Sequence, residues 1–234
     1  MGLCYQTNGI DPRGSGVNFM PIIIPTIFAF DHIALEERLE RYEGLVKRVQ
    51  LDIADADFTT QPTLGVEAMV EKPTILNRDI HLMVTEPVEW LAKCQEEAVD
   101  LVIGQIESMS NQGEFKKEAE SLGIKWGLAI DLETAITDLD WAVAETADQL
   151  LVMTVRAGKE GQKLDEKGLD KVKALREKGF TKEICVDGGV NEATLSKCLQ
   201  AGADVLAIGS RLSQAEDVVG AWNKLQAKLA AYEV

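Results

Sequence analysis

Eight short apolar runs punctuate the chain between residues 21 and 210, and amphipathic segments separate them. The runs read PIIIPTIFAF (21–30), RVQLDI (48–53), RDIHLMV (78–84), DLVIGQIE (100–107), KWGLAI (125–130), QLLVMTV (149–155), EICVDGG (183–189) and DVLAIGS (204–210). Between them lie stretches such as HIALEERLERYEGL, EPVEWLAKCQEEA, EKGLDKVKALREKG and EATLSKCLQAG, whose apolar residues recur at helical spacing. Alternation of this kind makes parallel βαβ units. Eight of them fit a closed (β/α)8 barrel, whereas a doubly wound open sheet usually uses fewer strands. The last segment, SQAEDVVGAWNKLQAKLAAYEV, reads as a terminal helix capped by Ser213. No linker or break in composition divides residues 20–234, so they are expected to form one barrel domain. Residues 1–19 read as a polar N-terminal extension, flexible in part.

The charge balance narrows the partners. Lys and Arg number 24 against 39 Asp and Glu, a formal charge of −15. A surface this acidic argues against nucleic acid and against anionic membranes. It leaves an anionic small molecule open, because backbone N–H groups at helix N-termini hold phosphate without any lysine. Cys4, Cys94, Cys185 and Cys198 form no CxxC pair, and free thiols in a reducing cytoplasm are the expectation. No run of about 18 apolar residues suggests a membrane span, and the start lacks the charged-then-apolar build of a secretory signal.

The second run, RVQLDI, carries an anomaly. Strand side chains alternate, so Gln50 and Asp52 share the face opposite Leu51 and Ile53. A strand of a parallel sheet, buried on both faces, should be apolar throughout. Barrels keep their chemistry at the C-terminal ends of strands, which supplies a reason. Polar residues near those ends are Gln50, Asp52, His81, Gln105, Glu107, Asp131 and Asp187, with Gly209 and Ser210 closing the eighth run. Taken singly, Asp52 and Asp187 also suit structural acids, and His81 a hydrogen-bonded core residue. Asp55 and Asp57 read as solvated loop acids or a cap, and Asn191 as opening a helix after VDGGV.

Five segments, in order, resemble the ribulose-phosphate 3-epimerase family. MPIIIPTIFAFD resembles its first strand, DIHLMVTEPVEW its third, and MTVRAGKEGQ its sixth strand and loop, while VDGGVNEAT and AGADVLAIGSRL resemble its last two strands. The resemblance implies a ribulose-phosphate-binding barrel that inverts C3 of a ketopentose phosphate, ribulose 5-phosphate to xylulose 5-phosphate. In that chemistry one carboxylate removes the C3 proton and a second returns one on the opposite face. It also implies a divalent metal (Mn, Zn, Fe, Co or Mg) acting as a Lewis acid, and a homo-oligomer. Carried over by motif, Asp52 and Asp187 are the catalytic and metal-binding pair, and His81 is a metal ligand. Met83 and Met153 cap the reacting carbons, and Thr26 stands where the family has Ser. Gly158 and Gly161 lie in the sixth loop near the phosphate, and Gly188, Gly189, Gly209 and Ser210 form the phosphate-binding turns.

The chain departs from the pattern at specific places. Gln50 stands where the family has a second metal His, and an amide oxygen suits hard cations such as manganese or magnesium better than zinc or ferrous iron. Ala54, Asp55 and Ala56 replace a Met-Asp-Gly, and Gln105 replaces a His of the fourth strand. Ala157 and Lys159 replace Pro and Phe of the sixth loop. These changes keep two alternatives open: a related barrel epimerase or lyase acting on another sugar phosphate, and a non-catalytic sugar-phosphate-binding homologue.

Overall fold

The computed structural model describes residues 20–71, 74–97 and 99–232. The N-terminal extension and Cys4 lie outside the described residues. The eight apolar runs form eight strands: β1 (Ile22–Ile27), β2 (Arg48–Ala54), β3 (Asn77–Met83), β4 (Leu101–Gln105), β5 (Trp126–Ile130), β6 (Gln149–Met153), β7 (Glu183–Asp187) and β8 (Val205–Ile208). They close into a barrel in sequence order, and every neighbouring pair is parallel. Closure is made by β1 against β8, with Ile22 opposite Val205 and Pro25 opposite Ile208.

Helices pack around the strands: α1 (His32–Tyr42), α2 (Val66–Val70), α3 (Leu91–Glu96), α4 (Gln112–Ser121), α5 (Trp141–Ala144), α6 (Glu166–Glu177), α7 (Leu195–Ala201), α8 (Ser210–Ser213) and α9 (Val218–Tyr232). Local sequence starts several of them. Asp31 Oδ1 accepts from Ala34 N at 2.8 Å ahead of α1, and Asn111 Oδ1 accepts from Glu114 N at 3.1 Å ahead of α4. Each bond satisfies a first-turn donor that the helix itself cannot pair. Leu35, Leu39 and Tyr42 then form the buried face of α1.

Two helix starts differ from expectation. Ser213 ends the short helix α8 instead of capping α9; its N–H already bonds the carbonyl of Gly209. The residue that starts α9 is Asp217, whose Oδ1 accepts from Gly220 N at 2.8 Å. Asn191 initiates a turn, its Oδ1 accepting from Ala193 N, and regular helix begins only at Leu195.

Alternation along the strands divides the buried residues into two cores. Leu51, Ile53, Leu82, Val102, Leu150 and Val186 face outward and pack with Leu39, Phe115, Val172 and Leu225 of the helices. Ile24, Ile103, Ala129, Leu151, Cys185 and Ala207 form a separate cluster inside the barrel. Gly127 belongs to that tight interior; a Cβ there would sit 2.6 Å from the carbonyl oxygen of Gln149. The three described cysteines are free and buried, and burial holds each thiol above its ordinary pKa.

The floor of the barrel is polar. Arg48 Nε donates to Asp79 Oδ2 at 2.7 Å, and its terminal nitrogens reach Glu183 at 3.1 and 3.3 Å. Gln149 Nε2 donates to the same glutamate at 3.0 Å. Asp79 is 1% exposed, and burial pushes its carboxyl up to about 7 even with Arg48 pulling it down. The guanidinium is therefore what makes a charged Asp79 tolerable there. Replacing Arg48 by Met strands that carboxylate, at a cost of about 3 kcal/mol or more. Chemical denaturation of Arg48→Met at pH 8 measures it; an unchanged midpoint would show that Asp79 needs no counter-ion.

Candidate active site

At the opposite end of the barrel, β2, β3 and β7 deliver Asp52, His81 and Asp187 to one point. Asp52 is paired in register with His81 across β2 and β3, and Met153 with Asp187 across β6 and β7. All three side chains are buried, and one ligand atom from each lies within 4.8 Å of the others. Asp52 Oδ1 lies 3.2 Å from His81 Nδ1, and His81 Nε2 lies 2.8 Å from Gln105 Oε1. Burial opposes a charge on His81, yet the contacts with Asp52, Asp187 and Gln105 hold the imidazole above its ordinary pKa. Burial, then the charge of Asp52, pushes Asp187 up to about 7, against the pull of His81 and Gln50.

Gln50 lies directly beneath this cluster and is fully buried. Its Nε2 donates to Asp52 Oδ1 at 2.8 Å and to Asp187 Oδ2 at 2.7 Å. One amide thus spans two carboxylates that would otherwise repel each other. Its oxygen, Oε1, has no hydrogen-bond partner although it is buried. A buried orphan of this kind costs about 1–3 kcal/mol. Rotating the amide would turn that oxygen toward the carboxylates and the imidazole. Two carboxylates, one imidazole nitrogen and one such amide oxygen make a donor set that fits a divalent cation.

The other expected residues surround the same cleft. Thr26, Met83 and Met153 line it, as do Gly158 and Gly161 of the β6–α6 loop. Gly188 and Gly189 after β7, and Gly209 and Ser210 after β8, close one end. Both glycines after β7 have left-handed backbone, φ +114° and +64°. A Cβ on Gly189 would collide with the Leu164 backbone nitrogen, and one on Gly188 would strike Val155. Gly158 is similarly constrained by the Phe58 carbonyl, which ties the sixth loop to the β2–α2 loop. Gln50 alone of the expected residues sits below the cleft lining.

Other strand-end acids do different work. Glu107 Oε1 accepts from Asp131 N, and Asp131 Oδ1 accepts from Ala157 N at 2.9 Å, so both acids brace loops. Asp55 and Asp57 accept from Thr85 N and Thr85 Oγ1, each at 2.6 Å, joining the loops after β2 and β3. Phe28 and Glu160 join the lining although neither is singled out by strand-end position. Phe28 forms an apolar wall with Met83 and Ala54. Glu160, in the sixth loop, places a carboxylate in the lining beside Gly209.

Solved structures with the same architecture include the 3-keto-L-gulonate-6-phosphate decarboxylase from Vibrio cholerae, with a TM-score of 0.67, 14% identity and coverage of 91% of this chain and 99% of that one. The 3-hexulose-6-phosphate synthase from Salmonella typhimurium superposes with a TM-score of 0.69 at 15% identity, over 90% of this chain and 99% of that one. At these identities they speak for the fold alone. Sequence relatives say more. A protein named ribulose-phosphate 3-epimerase from Eremothecium gossypii is 32% identical over 84% of this chain and 88% of its own. One of the same name from Aquifex aeolicus is 27% identical over 88% of this chain and 96% of its own. Residues 22–213 match the model of the ribulose-phosphate 3 epimerase family, a span that holds every strand and every cleft residue described above, and the chain belongs to that family.

Proposed function

We propose that residues 20–234 act as one catalytic domain that inverts C3 of a ketopentose phosphate, converting ribulose 5-phosphate to xylulose 5-phosphate. The observation that carries this reading is the buried pair Asp52 and Asp187, converging from strands on opposite sides of the cleft. Gln50 engages Asp52 Oδ1 and Asp187 Oδ2, leaving Asp52 Oδ2 and Asp187 Oδ1 as the oxygens for substrate. One carboxylate takes the C3 proton, which the neighbouring C2 carbonyl acidifies, and the other delivers a proton to the opposite face. Neither oxygen need travel, since the bound sugar is planar at C2 and C3 between the two transfers. Met83, Met153 and Phe28 supply an apolar wall that keeps water from the exposed carbanion carbon. The turns after β7 and β8 receive the phosphate, which fixes C3 between the carboxylates.

Asp52, His81 and Asp187 would hold a divalent cation, with Gln50 as a fourth ligand through its oxygen. Bound there, the ion would supply Lewis-acid stabilisation to the oxygens of the enediolate. Protein stripped with EDTA and titrated with manganese by calorimetry tests the ligand set. Gln50→His should bind zinc tighter by roughly tenfold or more, the scale on which ligand-shell changes act. Equal zinc affinity in the two proteins would remove position 50 from the site, and absence of any binding would reject the cation.

The reaction itself is tested by deuterium. Incubation with ribulose 5-phosphate in deuterated water with manganese should place deuterium at C3 and yield xylulose 5-phosphate, followed by NMR. Asp52→Asn and Asp187→Asn should each lower the rate by about 100-fold or more, the contribution of one positioned acid or base. Retained exchange in both variants would assign the proton transfers elsewhere.

A further inference from the structure

The sixth loop puts an anion where the proposed substrate would bring its own. Glu160 lines the cleft together with Thr26, Gly188, Gly209 and Ser210. A Cβ built on Gly209 would lie 2.8 Å from Thr26 Oγ1 and 3.4 Å from Glu160 Oε1, so the carboxylate rests over the β8 turn. Burial raises the carboxyl's pKa, Arg38 lowers it, and the charge of Asp52 raises it further, which places Glu160 in the same electrostatic enclosure as the catalytic pair. A phosphate entering this end would meet the Glu160 carboxylate beside Gly209, with Lys159 in the same lining.

Arg38, on α1, reaches this carboxylate from behind the cleft lining, in which Lys159 is a second cation. Its NH2 lies 3.2 Å from Glu160 Oε2, and its NH1 lies 3.4 Å from Oε1. NH1 also donates to the Phe28 carbonyl at 2.8 Å. That backbone bond holds the guanidinium in place whether or not Glu160 is there. The fork that grips a carboxylate grips phosphate in the same geometry. Glu160 is the loop partner of the pair, placed between Gly158 and Gly161, both with left-handed backbone.

We propose that Glu160 is a displaceable occupant of the phosphate end of the cleft, and that Arg38 changes partner on binding, from the Glu160 carboxylate to the phosphate of the incoming sugar. Arg38 is then a phosphate-binding residue, and Glu160 sets the affinity by competing for it. This rests on the sugar-phosphate reading of the site but not on turnover.

Calorimetric titration with inorganic phosphate tests it on the full chain. Glu160→Gln should bind phosphate about tenfold tighter, and Arg38→Gln about tenfold more weakly, the scale of one hydrogen bond to a charged group. Arg38→Lys should recover part of the loss by restoring the charge without the fork. The opposite signs are the signature: if the pair only braced the loop, breaking it from either side would shift affinity in one direction. Circular dichroism melts confirm that the variants compared are folded. Unchanged or weaker binding in Glu160→Gln, unchanged binding in Arg38→Gln, or no phosphate binding by any of the proteins overturns the proposal. Opposite shifts with no exchange on ribulose 5-phosphate would uphold the Arg38 switch and reject the epimerase reading. Turnover without the opposite shifts would do the reverse.

Discussion

Closure of eight parallel strands is the constraint on which everything else depends. Once β1 pairs with β8, each strand has an inside and an outside, and the period-two alternation of side chains decides which residue goes where. The outside is filled by helices, so Leu51, Ile53 and Leu82 need only be apolar. The inside has no helix to cover it, and its two ends differ. At the floor, one guanidinium, Arg48, serves both Asp79 and Glu183. At the mouth, Asp52 and Asp187 have His81 and an uncharged amide. The two ends therefore differ in kind: a permanent cation holds the floor, whereas the mouth relies on titratable groups with shifted pKa values, which beside a cleft are the electrostatic mark of a functional site.

The strands, the barrel and the residues at its mouth were legible in the sequence because each rests on a short-range rule. Apolar runs of strand length mark the strands, and parity places Gln50 beside Asp52. Motif spacing then names His81 and Asp187. The geometry of Gln50 was not legible. Reading it as a substitute ligand fixes attention on its oxygen, whereas the structure turns its nitrogen to both carboxylates. Which end of an amide faces a site depends on neighbours that arrive from β7, 137 residues along the chain. Arg38 and Glu160 escaped for the same reason: 122 residues separate them, and neither stands out in its own segment. Arg38 reads as one more charge on a solvated helix face, and Glu160 as one more loop acid. Ser213 failed as a cap for a local reason, because the chain inserts the α8 turn before α9 and hands the cap to Asp217.

The amide at position 50 changes what the mouth can do on its own. An imidazole there would present one nitrogen to one neighbour at a time. A primary amide carries two N–H donors on one atom, which is why Gln50 can bind Asp52 and Asp187 together at 2.8 and 2.7 Å. It therefore keeps the two carboxylates close before any cation arrives, at the expense of an unpaired oxygen. Gln105 has the complementary deficit: its oxygen meets His81, and its Nε2 is buried without a partner. His81 is gripped from two sides, by Asp52 and by Gln105, which set the tautomer and orientation of its imidazole.

The two ends of the cleft are built differently. The end that holds Asp52, His81 and Asp187 is built on strands, and its side chains are locked by register and by hydrogen bonds between buried groups. The other end is built on glycine turns and one loop, where Gly158 and Gly189 leave no room for a Cβ but allow the backbone its left-handed shape. On the proposed reading, a substitution on the strands disturbs the groups that move the proton, and one in the turns and loop alters how the phosphate is held. Glu160 and Lys159 lie in that loop, both in the cleft lining. The sixth loop sets Lys159 and the Glu160 carboxylate side by side in the lining, and Arg38 reaches that carboxylate from α1.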